Sequence, residues 1–173
     1  MADNVSVAVF VFVAALLQVT LLASVDIVGG TADVLLLSLL AIALLRGAVA
    51  GAVAGFFGGL LLDVMTLDTL GVSALLYALA GYWTGRYGET TGRDRAHAPL
   101  LAVLVATVAI AVAGLGLHFL LGEVVSARRA LFDALLPGIA LNLLLGGPVW
   151  ALSRVVLRRP TTSDRVTEVQ LLG

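Results

Sequence analysis

The stretch Gly47–Asp63 reads GAVAGAVAGFFGGLLLD. It is apolar up to its last residue, repeats glycine at 47, 51, 55 and 59, and stops at a carboxylate. A four-residue repeat draws one nearly straight ridge along a helix. Glycine costs helix propensity in water. In lipid, where helices gain little from hydrophobic association, a row of glycines lets two backbones approach closely enough for van der Waals contact. The stretch therefore reads as a membrane helix with one face stripped for packing. That face meets either a helix of the same bundle or another membrane protein. Ala74, Ala78, Gly81 and Gly85 form a second small-residue row that can supply an internal partner.

Composition agrees. Of 173 residues, 61% are hydrophobic and only 12% charged, too few charges to coat a soluble particle. Mean hydropathy is +1.11. Cysteine is absent, which excludes disulfides, thiolate metal sites and a cysteine nucleophile. The net charge of -1 gives no polyanion-binding signature. No GxSxG, HExxH or phosphate-binding GxxxxGK[ST] occurs, so the reading is non-enzymatic, with no cofactor or metal. His118 stands alone and makes a poor metal ligand.

Outward from the glycine helix, apolar runs predict six spans at about 5–28, 33–45, 47–62, 69–87, 99–121 and 131–157. The second and third are separated at Arg46-Gly47. As one helix they would overrun a bilayer and bury Arg46 at its centre, at roughly 2.5–3.5 kcal/mol. Asp68 is expected to cap the fourth helix. Pro99 suits the start of the fifth, and Pro137 and Pro148 are expected to bend the sixth. Residues 1–157 form a single polytopic domain, and 158–173 a polar cytoplasmic tail expected to be disordered.

Arginine sets the orientation. With the N-terminus inside, the cytoplasmic pieces hold Arg46, Arg86, Arg93, Arg95, Arg154, Arg158, Arg159 and Arg165. Outside lie only Arg128 and Arg129, with Asp26, Asp33, Asp63, Asp68, Glu123 and Asp133. The positive-inside rule favours six spans with both termini cytoplasmic. A five-span arrangement with the N-terminus outside ranks second because it must bury Arg46.

Few polar side chains fall inside the spans. Gln18 and Asn142 are expected either to bond helix to helix or to contact a solute. Tyr82 and Trp83 suit an interfacial aromatic belt. Asp33, Asp63, Asp68, Arg46 and Arg86 are the expected polar anchors at helix ends. Asp63 is expected at the outer interface. There it either takes N–H groups from the turn through Met65 and Thr66 or pairs with an arginine of a partner.

The segments ADVLLLSLLAIALLRG, GxxxGFFGGLLLD, LGVSALLYALAGYWTGR and LPGIALNLLLGGPVWALSR, in this order, resemble the rod shape-determining protein MreD family of bacteria. The resemblance spans about residues 8–158. One departure is Ala32, where the family usually has proline before the aspartate. The resemblance implies an all-α integral membrane protein whose six-helix bundle is similar to the S-components of energy-coupling-factor transporters. It further implies a non-enzymatic scaffold subunit of the cell-elongation complex in the bacterial cytoplasmic membrane. Implied partners are the bitopic shape protein MreC and, directly or through it, a SEDS glycosyltransferase with a class B penicillin-binding protein. The alternative is a small-solute-binding subunit of an energy-coupling-factor-type transporter, which needs a pocket of convergent polar groups.

Overall fold

The computed structural model describes residues 2–24, 32–91, 98–122 and 135–157. The expectations for the intervening loops and the tail 158–173 lie outside these residues. The described chain is all-helical: α1 Ala2–Ser24, α2 Val34–Arg46, α3 Ala48–Thr66, α4 Val72–Thr91, α5 Ala98–Leu120 and α6 Leu135–Val156. Among the described residues, α3, α5 and α6 are long and apolar enough to cross a membrane. Val5–Thr20 and α2 are shorter apolar helices.

The shortest helix sits at the centre. Every residue of α2 from Leu35 to Leu44 is buried, and α2 packs against each of the other five helices. Its leucines form the core with Val11, Ala14 and Ala15 of α1 and Val103 and Ala106 of α5. Large apolar side chains such as Phe12, Phe57, Val105 and Leu144 point outward, the pattern of a bundle whose solvent is hydrocarbon.

Gly47 makes the break between α2 and α3. Its φ of 96° is open to glycine and strained for other residues. The two helices part there without a loop, because the Gly47 N–H still bonds to the Ala43 carbonyl and the Gly51 N–H to the Gly47 carbonyl.

Helix ends differ from the sequence expectation between α3 and α4. α3 runs on to Thr66, and α4 begins at Val72, not Thr69. Gly71, at φ 95°, turns the chain just before α4 and delays its first turn. Asp68 is thereby left exposed, and its carboxylate accepts only from the adjacent Thr69 N–H, at 2.7 Å. It does not cap α4. At the other end α4 continues to Thr91, its last turn carrying Thr90, whose hydroxyl donates to the Arg86 carbonyl at 2.9 Å.

Candidate functional site

The N-terminus of a helix leaves four backbone N–H groups without partners inside the helix. In a membrane bundle water does not satisfy them, and each bare group costs several kcal/mol. The start of α2 shows a full accounting. Val34 N–H donates to Gln18 Oε1 at 2.7 Å, and Leu35 N–H donates to the same atom at 3.4 Å. Leu36 N–H donates to Asp33 Oδ1 at 2.8 Å, and Leu37 N–H to the Asp33 carbonyl at 3.0 Å. One residue earlier, Asp33 N–H donates to Asn142 Oδ1 at 2.7 Å.

The remaining atoms of these side chains tie in the other helices. Gln18 Nε2 donates to the Ala32 carbonyl at 3.1 Å. Asn142 Nδ2 donates to Thr107 Oγ1 at 3.1 Å, and the Tyr77 hydroxyl donates to Asp33 Oδ2 at 2.6 Å. Gln18 and Asn142 are both buried. One polar hub thus joins α1, α4, α5 and α6 to the start of α2. Sequence reasoning singled out Gln18, Asn142 and Asp33 separately. It missed Tyr77 and Thr107, whose only signal was a hydroxyl within an apolar run.

The glycine ridge of α3 faces α4. A Cβ at Gly51 would lie 2.6 Å from the Gly81 carbonyl oxygen and 2.6 Å from the Ala43 Cβ. One at Gly55 would run into the backbone of Tyr77, and one at Gly59 would lie 2.5 Å from the Ser73 carbonyl oxygen. From the other side, a Cβ at Gly81 would strike Gly51 and one at Gly85 would strike Ala48. The two small-residue rows interlock along the hairpin, so the ridge is filled from within the chain.

Both ends of that hairpin carry a carboxylate. Asp63, in the last turn of α3, is fully buried and bonds neither Met65 nor Thr66. Its Oδ2 accepts from Gly71 N–H at 2.8 Å and its Oδ1 from Ser73 N–H at 3.2 Å. It is the cap that Asp68 was expected to provide, and it is buried within the protein. The late start of α4 carries these N–H groups to it. Glu89, in the last turn of α4, accepts from Ala48 N–H at 2.8 Å, the first residue of α3. Each carboxylate sits against the negative end of its own helix dipole and the positive end of its neighbour's. Arg86 pairs with Glu89 at 3.4 Å on the exposed surface. Such an i,i+3 pair contributes only about 0.3–0.5 kcal/mol. Glu89 was missed because its position in a polar run resembled a loop.

Apart from Glu89, the charges at the ends of α2, α3 and α4 separate by end. The Glu89–Ala48 bond brings the end of α4, with Arg86, beside the α2–α3 turn and Arg46. Asp33, Asp63 and Asp68 lie at the opposite ends of the same helices. Tyr82 and Trp83 project outward from α4 and meet edge to face at 5.7 Å between ring centroids.

Two lateral grooves open on the bundle. One, of about 520 Å³, lies between α4 and α5, with Leu76, Trp83 and Tyr87 facing Leu101, Ala106 and Ile110. The other, of about 640 Å³, lies between α1 and α3 and includes Arg46. Among the described residues no group of three His, Cys, Asp or Glu side chains gathers as a metal site.

No curated protein and no solved structure matches the chain. A model of the rod shape-determining protein MreD matches residues 2–159, a range that takes in all six helices. The chain belongs to the MreD family of rod shape-determining proteins, which are non-enzymatic, multi-pass proteins of the bacterial cytoplasmic membrane.

Proposed function

We propose that this chain is the membrane scaffold subunit of the cell-elongation complex. It holds an MreC-type bitopic shape protein on its outer helix faces and supports the SEDS glycosyltransferase and class B penicillin-binding protein, directly or through that partner. The reading includes six membrane spans in an S-component-like bundle, with both termini in the cytoplasm. Separation of Arg46 and Arg86 from Asp33, Asp63 and Asp68 supports this orientation.

One observation favours a scaffold over a solute-binding subunit. The membrane-buried polar side chains Gln18, Asn142, Thr107 and Tyr77 are bonded within the bundle. A solute site needs convergent polar groups facing a cavity, whereas both grooves are apolar apart from Arg46, Thr84 and the tips of Trp83 and Tyr87. The glycine ridge is occupied by α4, so partner contacts fall to outward-facing side chains.

Co-purification tests the reading. A tagged chain extracted from native membranes in mild detergent is expected to bring down the bitopic shape protein together with the synthase pair. Recovery of a transporter ATPase in their place would replace the scaffold with the solute-binding subunit.

A further inference from the structure

α3 carries a second four-residue row, on the side away from its glycines. Val49, Val53 and Phe57 are 75%, 51% and 62% exposed, and Leu61 continues the line. With Val7 and Phe12 of α1 they wall the groove of about 640 Å³. Arg46 is the one ionisable residue in its lining. It closes the end of the groove at the α2–α3 turn, where helices end and headgroups begin.

Size and charge identify the occupant. From Val49 to Leu61 the groove follows twelve residue steps of α3, roughly 18 Å at 1.5 Å each. One leaflet of hydrocarbon is about half of 30 Å deep, so the groove runs the depth of a single leaflet. Over this length the groove is open along one side, and its lining is apolar apart from Arg46 at one end. A single hydrocarbon chain matches that length and that lining. A cation at the headgroup end of an apolar slot complements an amphiphile with an anionic head.

We infer that the α1/α3 groove binds an anionic phospholipid, with one acyl chain along Val53 and Phe57 and the phosphate at Arg46. The phosphate joins the contacts Arg46 already makes within the protein. The α4/α5 groove has no charged residue in its lining and carries no such preference. The site does not depend on the scaffold reading. Only the leaflet does: with Arg46 cytoplasmic, the lipid comes from the leaflet that carries a negative surface potential.

Native mass spectrometry of the purified chain tests the site, using equal amounts of phosphatidylglycerol and phosphatidylcholine. The wild-type chain is expected to retain phosphatidylglycerol in preference, by about fivefold for one arginine at the headgroup level. Arg46→Gln should abolish the preference, Arg46→Lys should keep it, and Arg86→Gln, outside the groove, should leave it intact. Val53→Trp, which fills the slot and spares Arg46, should also lose phosphatidylglycerol. If Arg46→Gln does not remain monodisperse, Val53→Trp and Arg46→Lys carry the test. Equal retention of the two lipids by the wild-type chain would overturn the inference, as would an unchanged preference in Val53→Trp. So would a Val53→Cys chain that cross-links in native membranes to a protein instead of a lipid probe. That outcome makes the groove a protein interface.

Discussion

Asp63 and Glu89 lie at opposite ends of the α3–α4 hairpin, and each accepts from the start of the other helix: Asp63 from the Gly71 and Ser73 N–H groups, Glu89 from the Ala48 N–H. The exchange fixes the register of the hairpin at both ends while the glycine ridge sets its closeness in between. The ends are unequal. Asp63 is fully buried, and the Glu89 side chain is 35% exposed.

Substitutions should reproduce that inequality. Asp63→Leu strands two partly buried N–H groups, each costing about 1–3 kcal/mol, and the protein should fail to accumulate in the membrane. Asp63→Asn keeps one acceptor oxygen, so the protein should accumulate and melt at a lower temperature in detergent. Glu89→Gln should cost under about 1 kcal/mol, because its amide oxygen still accepts the single Ala48 N–H and only the exposed pairing with Arg86 is weakened. Thermal unfolding of the purified variants ranks them. A larger loss for Glu89→Gln than for Asp63→Asn would contradict the buried cap.

Gly55 and Gly116 should respond oppositely to alanine. A Cβ at Gly55 meets the Tyr77 backbone, which cannot rotate away, so Gly55→Ala should separate α3 from α4 and lower folded yield severalfold. A Cβ at Gly116 meets nothing within 4 Å. Gly116→Ala should be neutral, or stabilising by up to about 1 kcal/mol through helix propensity. Monodisperse yield by size-exclusion chromatography is the readout, and equal behaviour of the two variants would refute the packing assignment.

Periodicity and the Arg46-Gly47 break carried most of the fold in the sequence. Long apolar runs mark helices in lipid, and a four-residue glycine row admits few readings. The carboxylate partners were hidden for a physical reason. The nearest donors to Asp63 in sequence are at Met65 and Thr66, but the turn at Gly71 brings donors eight and ten residues away into range. Glu89 meets Ala48 across 41 positions, a pairing visible only once the register of the hairpin is known. The hub was half legible in the same way. Amides deep in apolar helices mark Gln18 and Asn142, yet their targets are backbone atoms beside Asp33, which have no side-chain signature.

The hub should behave as one unit. Gln18 takes the Val34 N–H and Asn142 the Asp33 N–H, on adjacent residues. A double-mutant cycle of Gln18→Ala and Asn142→Ala should give a coupling of about 0.5–3 kcal/mol. Gln18→Ala with Glu89→Gln, at the other end of the bundle, should be additive within about 0.5 kcal/mol. Reversible unfolding in bicelles measures both, and additivity in the first pair would dissolve the hub into separate bonds.

Orientation has a direct assay because the chain is free of cysteine. Thr66→Cys lies at the end of α3 that carries Asp63, and Thr90→Cys at the end of α4 that carries Arg86, both exposed. An impermeant maleimide added to intact spheroplasts should label position 66 and leave position 90 untouched until the membrane is opened. The reverse pattern would invert the proposed topology.

At 1.5 Å per residue the thirteen residues of α2 reach only about 20 Å, short of a hydrocarbon core of about 30 Å. Enclosed from Leu35 to Leu44, α2 is measured by its neighbours and not by lipid. That enclosure makes the packing of α2 depend on the arrival of α6. The second helix leaves the ribosome early, yet the Asp33 N–H group gains its acceptor only when Asn142 arrives on the last helix. Truncation before Leu135 therefore leaves a bare backbone donor in the membrane at the start of the central helix.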